Sequence, residues 1–516
     1  MGKKSFDEIK LSSQVHKGHI ASQITTVLKQ HSADFFNNLT SAEKAKDKDL
    51  KSIETPILDA LENSLKNPTI PLHIPGHARG EGVLPKFKDL AGQKIIDLDT
   101  TDEFNGLGKL HPAEDPIARA QVLAAEAFGS GKAFFLINGS TIGNIALALT
   151  VAKENKKIII GRNCHKSVIS GLTLTGAEPI WAIPDKLEKW GVWGAITAEN
   201  IESLLDKNPD AGAVWINNPT YEGIVSDVES IAKVCKQRNV ALLVDEAHGC
   251  LWKFSNKFPK PALECGADAV VHSLHKTGGS FSQSSILHLS KDSKISAEEV
   301  EANLSMLQST SPSYMLLASL DAARAYLTSK YGQEKIDKAI KNAEEARKIL
   351  ATIAGVKCLS SEDGFQIDPT KIYIKIEGLS GKRLESLLEM DYGITIEAAT
   401  DEGILALSNI GNTAEELYSF CEAIKKIVKR NYSDITYLEH IKYMPLNVPE
   451  IVCTPRKAYI SPKEEVLPEE SIGRVSAEVI AICPPGVPIL VPGERITEDH
   501  LPFLSKTHSI QVMKEI

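Results

Sequence analysis

From residue 115 onward the hydrophobic pattern alternates between two periods. DPIARAQVLAAEAFG (115–129) repeats apolar residues at helical spacing, with Asp115 ahead, Pro116 in the first turn and Gly129 at the end, and it predicts a helix. AFFLI (133–137) predicts a strand, TIGNIALALTVAKEN (141–155) a helix and KIIIG (157–161) a strand. AVWIN (213–217), a helix through SDVESIAKVCKQRN (226–239), VALLVDE (240–246), ADAVVHS (267–273) and SSILHLS (284–290) continue the series. Short apolar runs separated by amphipathic helices predict an α/β fold with a mostly parallel sheet covered on both faces. Helices at about 313–329 and 333–354 lead into a second block. There KIYIKI (371–376), a helix near 381–390, GITIEAA (393–399), ILALS (404–408) and a helix over 413–430 predict a smaller α+β domain.

The remaining stretches suggest the domain limits. Residues 1–50 read as an extension that runs into the charged stretch AEKAKDKDLKS (42–52), a solvated arm or linker. The large domain is expected over 51–330, the α+β domain over 331–435, and a Pro-rich C-terminal domain over 436–516.

Composition narrows the class. With 42% hydrophobic and 24% charged residues, the 516-residue chain is that of an ordinary enzyme with room for more than one core. A net charge of -9 argues against nucleic acid as the main partner and is compatible with a cationic substrate. Cys164, Cys235, Cys250, Cys265, Cys358, Cys421, Cys453 and Cys483 contain no C-x-x-C pair, which points to reduced thiols rather than a metal site or disulfide framework. No apolar run approaches the ~20 residues needed to cross a bilayer, and MGKKSFDEIKLSSQ has no secretory core. A cytoplasmic protein is expected, with organellar targeting by the extension left open.

Three motifs carry the chemistry. In LINGST (136–141) a strand ends, Gly139 permits a tight turn, and Ser140 and Thr141 open a helix whose free N–H groups form a phosphate cradle or simply an N-cap. VALLVDEAHG (240–249) places Asp245 and His248 at the carboxyl end of a buried strand, where open α/β sheets bind ligands. A carboxylate there either pairs with a protonated pyridine nitrogen or caps the next turn. In AVVHSLHKTGGSFSQSSILH (269–288), Lys276 follows a buried strand and precedes a Gly/Ser loop, the setting for an amine that forms an imine with an aldehyde. A surface lysine is the plain alternative.

Taken in that order, phosphate turn, acid and lysine match fold-type-I pyridoxal-phosphate enzymes. HIPGHARG, GLGKLHPAEDPIARAQ, NGSTIGN, RNCHKS, DEAHG, SLHKT, STSPSY and PPGVPILVPGE together resemble the Orn/Lys/Arg decarboxylase family over about residues 54–510. The resemblance implies an aspartate aminotransferase-like large domain and pyridoxal 5'-phosphate as cofactor. It makes Lys276 the lysine bonded to the cofactor aldehyde, Asp245 the partner of the pyridine nitrogen, and His165 the residue stacked on the ring. His248 is expected near the phenolic oxygen, and Ser140, Thr141, Ser273 and His275 at the phosphate. Ser311 and Ser313 are expected to complete the phosphate site of a neighbouring subunit in a homodimer or higher homo-oligomer. Glu494 is expected to read the distal cation of the substrate, or alternatively to form a C-terminal salt bridge.

The implied reaction is decarboxylation of a basic L-amino acid in polyamine-related metabolism, with arginine preferred over lysine or ornithine by family analogy. The resemblance is to the compact form without a receiver-like wing domain, so large ring assemblies are not expected. Gly278 and Gly279 replace a more apolar loop, which suggests an open backbone beside the reacting carbon and keeps aminotransferase, aldolase and amine oxidase outcomes in view. A catalytically silent regulatory homologue is a second alternative. A metal hydrolase ranks below both, because the histidines lack a metal-ligand spacing such as H-E-x-x-H.

Overall fold

The computed structural model describes Leu50 and residues 53–67, 69–152, 156–430, 448–482, 486–505 and 507–514. Apart from Leu50, the expectations for residues 1–50 lie outside the described residues, as does Cys483. Residues 55–516 form one unit.

A seven-stranded sheet organises that unit. Its strands are β1 (Lys132–Leu136), β2 (Lys157–Gly161), β3 (Glu178–Ala182), β4 (Ala213–Asn217), β5 (Ala241–Asp245), β6 (Ala269–His272) and β7 (Ser285–Leu289), in the spatial order β1-β7-β6-β5-β4-β2-β3. Every neighbouring pair is parallel except β1–β7 and β7–β6. The link from β6 to β7 carries only the short helix Leu274–Thr277, and β7 returns antiparallel to β6.

Helices cover both faces, so the strands are apolar on both sides, as expected for such a sheet. Phe134, Leu136, Trp215, Leu243 and Val271 face one core, and Ile159, Val214, Leu242 and Val270 another. The helix Gly139–Val151 packs on Lys166–Thr175 through Gly171, where an added Cβ would stand 2.4 Å from that of Ala148.

A second sheet is antiparallel: β8 (Val356–Cys358), β9 (Lys371–Ile376), β10 (Ala398–Ala399) and β11 (Ile404–Leu407), in the order β8-β9-β11-β10. Of the predicted strand GITIEAA only the last two residues pair. The helix Lys330–Ala351 spans two cores, with Ile336 and Ile340 in that of the large sheet and Ala343, Ala346 and Leu350 in that of the small one. Toward the C-terminus, the hairpin of Ile480–Ile482 with Val487–Leu490 precedes Val491, which enters the large-sheet core.

Candidate active site

The carboxyl ends of β4 and β5 and the N-termini of Gly139–Val151 and Lys166–Thr175 meet at one pocket. It encloses about 680 Å³ of space, open solvent at its mouth included. Five expected residues line it: Ser140, His165, Asp245, His248 and Lys276. The three sequence motifs therefore converge on one place.

Asp245 ends β5, where it lies beside Asn217 of β4. The amide of Asn144 donates to its Oδ2 at 2.8 Å, and the backbone N–H of Ala247 donates to Oδ1 at 3.2 Å. Asn144 is fully buried and also donates to Ser167 Oγ at 2.9 Å. A buried carboxylate fixed by two donors keeps one orientation.

Lys276 lies in the short helix Leu274–Thr277 just after β6. Burial pulls its amine below the ordinary lysine range, while the negative charges of Asp245 and Glu397 oppose that shift. Its Nζ stands 3.1 Å from His248 Nε2. Burial, then the neighbouring Lys276 charge, drives His248 well below the usual histidine range, so His248 is a neutral acceptor for the lysine N–H.

His165 caps the helix Lys166–Thr175, its Nδ1 accepting from the backbone N–H of Ser167 at 3.2 Å. Burial lowers its pKa, and Asp245 partly restores it. Gln283 ties the lysine loop to the turn before Ser140: its side chain donates to Ile137 O at 2.8 Å and its carbonyl accepts from Gly139 N at 2.7 Å.

The other expected residues lie elsewhere. Thr141 is exposed and is not in the pocket lining. Ser273 is fully buried at the start of the lysine helix, and His275 Nδ1 stands 2.8 Å from Ser284 O. Ser311 is exposed, and Ser313 precedes the helix Tyr314–Thr328; neither lines this chain's pocket.

Glu494 is buried, with Oε2 3.0 Å from Arg162 Nη2 and accepting the Val491 N–H at 2.8 Å. Arg162 also donates to Pro488 O and Ile489 O at 2.6 and 2.9 Å. The carboxylate is thus taken up in a salt bridge anchoring the C-terminal hairpin. Gly278 and Gly279 border an apolar groove with Leu58, Leu61, Phe281 and Ile410 and are not in the lining of the Lys276 pocket. A Cβ on Gly278 would meet Leu274 O at 3.0 Å, so close packing, not openness, accounts for that glycine.

The sequence reading missed Asn144, Tyr221 and Glu222. The last two line the pocket from the turn after β4. The signal was present in NPTYEG, a Pro/Gly turn with an acid at a strand's carboxyl end, the same placement that singled out Asp245.

Asn163 Oδ1, Asn217 Oδ1 and His248 Nδ1 belong to the pocket-lining residues, and all three are buried without a protein hydrogen-bond partner. Such atoms are rare in folded proteins. With a fixed carboxylate, a low-pKa amine and the N-terminus of a 13-residue helix, they fit a polar aromatic aldehyde carrying a phosphate. Among the described residues no group of histidine, cysteine or acidic side chains is placed to hold a metal ion.

Comparisons with known proteins identify the family. Residues 55–373 match the major domain of Orn/Lys/Arg decarboxylases and residues 438–513 their C-terminal domain. The chain is 36% identical to the arginine decarboxylase of Halalkalibacterium halodurans over 88% of its own length and 94% of that protein's. It is 34% identical to the arginine decarboxylase of Bacillus subtilis, over 90% and 98% respectively. Lysine decarboxylase A from Pseudomonas aeruginosa has the same fold, with a TM-score of 0.79 at 20% identity over 92% of this chain and 82% of that one. The fold is therefore the fold-type-I α/β architecture, and the chain belongs to the Orn/Lys/Arg decarboxylase family, whose members depend on pyridoxal phosphate.

Proposed function

We propose that this protein is a pyridoxal-phosphate-dependent decarboxylase of a basic L-amino acid, arginine above lysine or ornithine. The observation that carries the proposal is the Lys276 amine, its pKa lowered by burial, beside neutral His248 in a pocket that also holds the anchored Asp245. Bound there, the cofactor supplies an electron sink for the pair released when the Cα–carboxylate bond breaks.

The chain's own groups do the rest. Asp245, oriented by Asn144, keeps a proton on the pyridine nitrogen. His165, which lines the pocket, would lie against the ring face. Ser140 and the N–H groups that open its helix hold the phosphate, with Thr141, Ser273 and His275 as neighbours of that end. Lys276 would be the amine that bonds the cofactor aldehyde, and Lys276 and His248 would hold the proton delivered to Cα. Orientation of the Cα–carboxylate bond selects decarboxylation over transamination.

The arginine preference rests on curated relatives at 34–36% identity being arginine decarboxylases, whereas the lysine decarboxylases of Pseudomonas aeruginosa and Escherichia coli are 24% identical. Pairing of two copies is part of the proposal, with Ser311 and Ser313 serving the partner's site. Ile70, Leu72, Leu84, Phe87 and Leu90 are 57–93% exposed within one stretch of chain, which supports a covering partner. The seven described cysteines are free thiols, and no described helix is long and apolar enough to cross a membrane; both support a cytoplasmic site of action. The test is product analysis on arginine, lysine and ornithine with added cofactor. CO2 and agmatine, formed at least about tenfold faster than the lysine or ornithine products, are expected. Keto acid or peroxide without CO2 overturns the reading.

A further inference from the structure

Behind His248 lies a cluster that the proposed chemistry does not use. Tyr221 stands edge-on to His248, ring centroids 5.2 Å apart and planes at 89°. Its hydroxyl donates to Glu397 Oε1 at 2.6 Å, and its carbonyl accepts from Lys371 Nζ. Both partners come from the small-sheet region: Lys371 opens β9 and Glu397 precedes β10. The Lys371 stem crosses the turn so closely that a Cβ on Gly223 would stand 2.8 Å from its Cδ. Backbone bonds pin the same turn, from Asp368 N to Gly223 O at 2.8 Å and from Val225 N to Gln366 O at 2.9 Å.

We propose that Tyr221 and Glu397 are positioning residues through which the small-sheet region holds His248 against Lys276 and so sets how readily that amine gives up its proton. The inference rests on the functional reading only in taking Lys276 as the reacting amine.

A short hydroxyl–carboxylate bond fixes the tyrosine ring, and that ring packs perpendicular to the imidazole. His248 Nε2 therefore stays turned toward Lys276. The charges reinforce this arrangement. Lys276 is faced by Asp245 and Glu397, both favouring its ammonium form. His248 is faced by Lys276, Lys371, His275 and His165, all favouring its neutral, accepting form. Removing the carboxylate, or its tie to Tyr221, weakens support for the ammonium and enlarges the fraction of free amine.

Competitive acetylation measures that fraction without turnover. The full-length chain, stripped of aldehyde cofactor with hydroxylamine, is treated with dilute acetic anhydride at neutral pH, and peptides carrying Lys276 and exposed Lys207 are quantified by mass spectrometry. E397Q and Y221F are expected to label Lys276 about threefold faster than the unsubstituted chain, with Lys207 unchanged. Lys276 rates in the folded Y221F and E397Q chains no faster than in the unsubstituted chain overturn the proposal, and so does a matching acceleration at Lys207. Because neither cofactor nor substrate is present, this outcome is independent of whether arginine is decarboxylated.

Discussion

Asn144 has no chemistry of its own, yet it fixes the acid on which the site depends. Its amide reaches both Asp245 and Ser167, the second residue of the helix that His165 caps, so one side chain aligns the acid and the ring-facing histidine. A hydrogen bond to a charged partner is worth about 1.5–3 kcal/mol. Asn144→Ala is expected to lower kcat by about tenfold or more with the cofactor still bound, as read by steady-state kinetics and absorbance. Glu494 behaves differently. Glu494→Gln is expected to reduce stability to urea while leaving KM for arginine within about twofold; a large rise in KM at unchanged stability returns Glu494 to the substrate site.

Lys371 gives a pH signature. Burial lowers its pKa to about 8, so between about pH 8 and the unfolded value of ~10.4 the unfolded chain binds more protons than the folded one. Stability contributed at this position therefore rises with pH across that window. Relative to Lys371→Met, the unsubstituted chain is expected to gain stability in urea melts from pH 8 upward, and a constant difference refutes the assignment. The sequence singles out Lys276 and Asp245 because each follows or ends a recognisable strand, and His165 only through the family resemblance. Asn144 and Lys371 stayed hidden: an amide in the second turn of an apolar helix and a lysine opening a strand look ordinary until tertiary packing brings them to the site.

At the scale of elements, closeness of approach is the main demand. The helices Gly139–Val151 and Lys166–Thr175 each present an N-terminus to the pocket, and they pack closely where Gly171 leaves room for the Ala148 methyl. Gly171→Val is expected to cost about 2 kcal/mol, measured as a lowered midpoint in urea, with cofactor affinity falling alongside. Periodicity located most central strands within a residue or two, because buried parallel strands are short apolar blocks between amphipathic helices. It could not show that β7 runs backward or that GITIEAA barely pairs, since strand direction and pairing are long-range properties. Nor could it show that Lys330–Ala351 serves two cores, because its apolar stripe looks the same against either sheet.

At the scale of the whole molecule, the proposed pairing is tested on the exposed apolar residues between Ile70 and Leu90. Leu72 and Leu90 are 93% and 86% exposed. The double substitution Leu72→Asp/Leu90→Asp is expected to give a folded monomer in sedimentation with most activity lost; an active monomer contradicts pairing through this face. The family and its aldehyde cofactor were legible from ordered motifs, whereas the site geometry was not. The buried Lys371 lies beside the pocket with its own lowered pKa, so the identity of the reacting amine is the point on which everything turns. Borohydride reduction of cofactor-loaded protein, followed by peptide mass mapping, decides it. A pyridoxyl-phosphate adduct on the peptide bearing Lys276 is predicted; an adduct on the peptide bearing Lys371, or none at all, contradicts it.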